Sequence, residues 1–224
     1  MALKKDLTVT EIEDFLLKSD IKDAINFDIT PILHLKIEQG GYFGASRQIL
    51  CMVDFIGALY CGNNKETGST KSAVKFIKEV MGSQEIDPKY KENGEILYEI
   101  YRHGLVHLYQ PKKLTLGDKR KIEWCVHKGG RVDNIEAKDN EQNKIAIKNA
   151  HHMDIVKHTD RESYLLIISL DCLFEDLKKA ILKYSQLIKS DKKYLCKWNK
   201  VANYISDYHL SKKHKKNNIL YKKN

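Results

Sequence analysis

The sequence has few of the residues that break a chain or staple it. It carries three prolines in 224 residues, and its five cysteines are odd in number, widely spaced and without a CxxC pair. That usage speaks against a disulfide framework or a zinc knuckle and points to a reduced compartment. No run of about 18 uncharged apolar residues occurs, so no membrane-spanning helix and no membrane partner are expected. The opening Met1-Ala2-Leu3-Lys4-Lys5-Asp6 turns acidic before any apolar stretch, so no secretory signal is expected and the expected location is cytoplasmic. P-loop, GxGxxG, GxSxG and HExxH strings are all missing, which argues against the usual nucleotide-binding and hydrolase folds.

What is present is an ordinary globular composition, 42% hydrophobic and 31% charged. Its charge is unevenly placed. Of the 39 Lys and Arg, 11 lie beyond residue 188 together with two of the 30 acids, so residues 1–188 hold 28 of each and the end of the chain carries the whole +9. Within it Lys212, Lys213, Lys215 and Lys216 form an apolar-free cluster. Such a cluster attracts polyanions by releasing their counterions, and it equally suits a solvated terminus. The reading is one domain over residues 1–206 and a basic, mobile tail over 207–224.

Hydrophobic spacing predicts helices over much of the domain. Residues 8–18 read as a short helix capped by Thr8 or Thr10. Residues 20–39, interrupted by Pro31, read as two helical pieces or an extended stretch. A strong helix is expected over 42–61, where Ile49, Leu50, Val53, Ile56 and Leu59 recur at helical spacing and Gly62 can end it. Further helices are expected over about 70–81, 90–107, 163–190 and 191–206. Between Pro111 and residue 158 the period changes to two, clearest in Lys121–His127, with Gly129-Gly130 as a turn and short strands near 145–147 and 153–156. The expected fold class is therefore mainly α, a helical bundle with a small antiparallel β insertion at about 113–158.

The sharpest constellation is Tyr101-Arg102-His103-Gly104-Leu105-Val106-His107, near the end of a predicted helix. A histidine exchanges protons near neutral pH, and an arginine stays charged and offers a planar fork to phosphate oxygens. Those are the parts of a metal-independent, cofactor-free cleavage of RNA. One group handles the ribose 2′-hydroxyl proton while a cation meets the charge growing on the phosphoryl oxygens. Five positions on an ideal helix turn about 140°, so Arg102 and His107 need Gly104 and the nearby helix end to converge. A plainer reading pairs Arg102 with Asp54 or Glu99, sets His107 against helix C-terminal carbonyls and leaves His103 on the surface.

The string Arg102-His103-Gly104-Leu105-Val106-His107 resembles the R-polar-x(3–5)-H signature of the HEPN superfamily of helical domains, over roughly residues 42–110 and 163–190. The resemblance implies an α-helical bundle that forms a homodimer and acts as an endoribonuclease in toxin–antitoxin or phage-defence systems. Arg102 would contact the scissile phosphate, His107 would be the acid–base group and His103 would fill the polar slot. RNA and a small antitoxin protein are the implied partners. A non-catalytic module binding RNA, nucleotide or a partner protein is the alternative.

Two further groupings stand out. Arg47 and Asp54, seven apart on the predicted 42–61 helix, share a face and could support Arg102, or form an ordinary ion pair. His151, His152, Asp154 and His158 match no metal-ligand spacing, and neighbouring strand residues point to opposite faces, so no metal site is assigned.

Overall fold

The computed structural model describes residues 6–35, 40–64, 68–105, 111–138, 144–158 and 161–206. Helix α1, Val9–Leu17, starts at a reciprocal cap. The Glu11 backbone N–H donates to the Thr8 hydroxyl at 3.3 Å, and the Thr8 N–H donates to the Glu11 carboxylate at 2.9 Å. The stretch left open in the sequence is helical: α2, Asp20–Ala24, runs through a wider π turn at Ile25–Ile29 into α3, Thr30–Leu33. Helix α4, Tyr42–Cys61, ends at Gly62, whose φ of 69° suits glycine alone at low cost. Its apolar stripe of Ile49, Leu50, Val53, Ile56 and Leu59 is fully buried. Helix α5, Ser69–Phe76, crosses it so closely that a Cβ on Gly57 would lie 2.8 Å from the Ala73 Cα. A second π turn, Ile77–Met81, extends α5. Helix α6, Lys89–Leu97, runs into a third, Tyr98–His103.

Six strands follow in two sheets. The first has the order β1-β2-β6-β5, with β1 Leu114–Thr115, β2 Lys121–His127, β5 Ile155–Lys157 and β6 Ser163–Ser169. The second is an antiparallel ribbon of β3, Val132–Lys138, and β4, Lys144–His151. At the centre of the first sheet β2 and β6 run parallel, from Lys121 opposite Ser163 to His127 opposite Ser169. The edge strands β1 and β5 are antiparallel to them.

This corrects the expected class. The chain is a mixed α/β fold, not a mainly helical bundle with an antiparallel insertion. The error lies chiefly in Ser163-Tyr-Leu-Leu-Ile-Ile-Ser, read as the start of a helix. It is a strand buried on both faces, and a continuous apolar run has no period by which to tell it from a helix. Helix α7, Leu170–Ser190, begins only where Ser169 accepts the Cys172 backbone N–H. Helix α8, Lys192–Ser206, follows.

Alternation along the strands sorts the sheet into two faces. Ile122, Leu166 and Ile168 join the helical core with Leu173, Leu177 and Tyr184 of α7. Cys125, Leu165 and Ile167 face the other way, onto Ile135 and Ala150 of the ribbon. The layers are helices, sheet, ribbon. No helix among the described residues is long and apolar enough to cross a membrane.

A buried polar chain ties these layers together. The Asp176 carboxylate of α7 has no exposed surface and accepts from Arg131 Nη2 at 2.7 and 2.9 Å and from the Tyr90 hydroxyl at 3.2 Å. Arg131 also donates through Nη1 to Asp87, at the head of α6. Tyr90 Oη lies 2.9 Å from His152 Nε2, and His152 Nδ1 accepts the Ser169 backbone N–H at 3.0 Å. The backbone donor fixes the tautomer: Nδ1 is bare and Nε2 carries the proton.

Burial pushes the His152 imidazole down to about 3, and the nearby Arg131 charge adds to this. The folded chain therefore keeps a neutral ring where the unfolded chain binds a proton below pH 6.5. Stability should fall with pH from about 6.5 toward 3, by about 2 kcal/mol at pH 5. Burial pushes Asp176 up, and it acts in the opposite sense. The measurement is urea unfolding at pH 7, 6 and 5, with His152→Asn as the control expected to lose this slope. Equal slopes in both proteins would contradict the assignment.

Candidate functional site

Arg102 lies in the π turn that follows α6, and Asp54 lies on α4. Arg102 Nε donates to Asp54 Oδ2, and the Tyr98 hydroxyl donates to Asp54 Oδ1 at 2.6 Å. Both carboxylate oxygens are thus engaged. The Arg102 and Asp54 side chains retain 20% and 16% of their surface exposure. Burial disfavours the guanidinium charge, but the hydrogen bond and charge of Asp54 more than offset this and hold Arg102 above its usual range. The same carboxylate, after burial, keeps the Tyr98 phenol from ionising. Among the described residues the hydrogen bonding of Arg102 runs through Nε alone.

Tyr98 and Arg102 are four apart, as are Glu99 and His103, so one turn makes two neighbouring pairs. His103 Nδ1 lies 3.3 Å from Glu99 Oε2, and Lys112 Nζ meets the same oxygen at 3.1 Å. His103 Nε2 lies 3.4 Å from the Thr70 hydroxyl near the start of α5. The Tyr98 and His103 rings meet edge to face, with centroids 5.4 Å apart. The widened turn, with its i→i+5 hydrogen bonding, is a geometry that recurs at functional sites.

The structure therefore brings together Arg102, His103 and Asp54. Asp54, not Glu99, takes Arg102, and Glu99 goes to His103. Arg47 is on the same face of α4, close enough for its charge to act on Cys51, whose thiol burial pushes up and the Arg102 charge pulls back. The Arg47–Asp54 pairing is replaced by Arg102 and Tyr98 on Asp54. His107 and the tail lysines Lys212, Lys213, Lys215 and Lys216 lie outside the described residues. His152 faces the core, and among the described residues no group of three or more His, Cys, Asp and Glu is arranged to hold a metal.

Reading the sequence missed Tyr98, Thr70 and Lys112. The spacing of four between Tyr98 and Arg102 is visible in the sequence, but nothing local shows that the tyrosine meets Asp54 on α4. Thr70 and Lys112 come from other segments; Thr70 reads locally only as a candidate helix cap, and Lys112 carries no signal. Comparison of the chain with known protein families, with characterised proteins and with solved structures finds no match.

The site implies a shared energy. Tyr98→Phe should cost about 1.5–3 kcal/mol, the range for a hydrogen bond to a charged group. Combined with Asp54→Asn it should cost less than the two single changes added together, by about 0.5 kcal/mol or more. Urea unfolding of the four proteins of the cycle measures this; strict additivity would mean that the Tyr98 bond does not stabilise the pair.

Proposed function

We propose that the chain is a metal-independent endoribonuclease that cleaves RNA by attack of the ribose 2′-hydroxyl on the adjacent phosphate. The observation that carries the reading is the posture of Arg102. A carboxylate grips its Nε and is itself fixed by a tyrosine, so the guanidinium is held still while its Nη pair is left for a bidentate phosphate contact. A preset cation of this kind meets the charge that grows on the phosphoryl oxygens without reorganising.

His107 supplies a proton-transfer group by its place in the motif, and the lysines at 212–216 hold the RNA backbone. The resemblance of residues 102–107 to the HEPN signature supports this chemistry, and it further suggests a homodimer acting in the cytoplasm as a toxin or phage-defence effector with a small antitoxin partner. The parallel-centred sheet is no part of that family's minimal helical bundle, so the reading rests on the site's residues and not on the architecture.

The test is incubation of the full chain with mixed RNA in EDTA. The expected products carry 2′,3′-cyclic phosphate ends. Arg102→Ala and His107→Ala should each slow cleavage by about 100-fold or more without altering the far-UV circular dichroism. RNA left intact by an excess of protein would overturn the catalytic reading in favour of a non-catalytic binding module.

A further inference from the structure

A strand that is cut beside Arg102 must also be held in register, and a run of lysines attracts every phosphate alike. Register needs a fixed group that takes a base. Tyr164 of β6 stands on the sheet between two cations. It is half-buried, packed on one side against the helical core. Toward β2 lies Arg120, from the turn between β1 and β2, with its guanidinium carbon 5.7 Å from the ring centroid. Toward β5 lies Lys157, the register partner of Tyr164. Such partners leave a sheet on the same face, with Cβ atoms about 5 Å apart.

We infer that Tyr164, with Arg120 and Lys157, is a base-stacking subsite for single-stranded RNA. The inference rests on the endoribonuclease reading, which supplies the strand, and adds where that strand lies. Its first ground is how Arg120 is held. Asp118 accepts from the Arg120 backbone N–H at 3.0 Å and from its Nε at 2.7 Å. About half of each of the two side chains stays exposed. A cation–π contact reaches to about 6 Å, so one at 5.7 Å is loose. It yields to a flat base, which stacks on the phenol and leaves the guanidinium for the adjoining phosphate.

The second ground is charge. Lys119, Arg120, Lys121 and Lys157 are all exposed, and the acids in the same segments are Asp118, already held by Arg120, and Glu162. The third is position. Lys112 donates its backbone N–H to the Ile100 carbonyl at 3.0 Å, within the turn that carries Arg102. Leu116, four residues on, donates its own to the Arg120 carbonyl at 2.9 Å. Four residues span at most about 14 Å, so a short strand lying along β1 joins the stacking face to Arg102. An acidic peptide would use the same cations but has no need of the phenol face, and a duplex keeps its bases on one another.

The experiment is binding of the full chain, in EDTA, to a short fluorescent RNA whose 2′-hydroxyls are all methylated, and to an abasic strand of equal length and charge. Wild type should prefer the RNA by about fivefold or more. Tyr164→Leu should lose about 5-fold to 100-fold on the RNA and nothing on the abasic strand, and Tyr164→Phe should bind as wild type. Arg120→Gln and Lys157→Gln should each weaken both strands and lower the slope of log affinity against log salt by about 0.7. A 5-iodouracil in the RNA should cross-link to Tyr164 on irradiation, and this carries the test if Tyr164→Leu fails to fold. Equal affinity of wild type for the two strands, no loss in Tyr164→Leu, or cross-links that fall elsewhere would each overturn the subsite. Cleavage of unmodified RNA that Arg102→Ala abolishes would then leave the endoribonuclease reading standing. The expected binding pattern beside unmodified RNA left intact would overturn the endoribonuclease reading alone.

Discussion

A carboxylate with no exposed surface, Asp176, sets the frame of this molecule. An uncompensated charge there would be costly, so its surroundings are obliged to supply donors. They come from every layer: Arg131 from the loop before the ribbon, Tyr90 from α6 and, through Tyr90, His152 and the backbone of β6. Removing one partner of such a pair typically costs about 3–5 kcal/mol, whereas the apolar contacts around it have no preferred register. The apolar core makes the layers adhere; the polar chain fixes how they sit.

The consequence reaches the candidate site through α6. Its first turn is tied by Tyr90 and by Asn93, whose side-chain amide donates to the Met153 carbonyl at 2.8 Å. Its last turn is tied by Tyr98 and Arg102 to Asp54 on α4. A helix held at both ends has little freedom to swing. Arg102 and His103 therefore stand on a rigid element, as the proposed contact of Arg102 with a phosphate requires.

Much of the helical framework was legible, because its period is strong. Helix α4 and strand β2 fall where the spacing put them, and α8 begins one residue later than read. Strand β6 was not legible, since a run buried on both faces offers neither alternation nor a 3.6-residue stripe. Its loss to a helix removed the parallel partner of β2 and with it the correct class. Strand β3 was hidden in a polar segment whose buried residue, Ile135, meets its neighbours only in the folded ribbon. At the site, the motif and its acidic neighbours were visible, and Asp54 was already singled out. Which acid serves which base was not, because Asp54 and Arg102 are 48 residues apart and nothing local ranks Asp54 above Glu99. The His152–Tyr90–Asp176 chain joins positions 62 and 86 residues apart and had no sequence signature at all.

The central claim is that Asp54 and Tyr98 hold Arg102 so that its free edge meets a phosphate. A crystal structure of the chain with RNA whose 2′-hydroxyls are methylated, so that no cleavage follows, tests it directly. The account predicts a phosphate within hydrogen-bond distance of both Arg102 Nη groups while Nε stays on Asp54. RNA bound elsewhere, with Arg102 turned wholly onto protein groups, would contradict it.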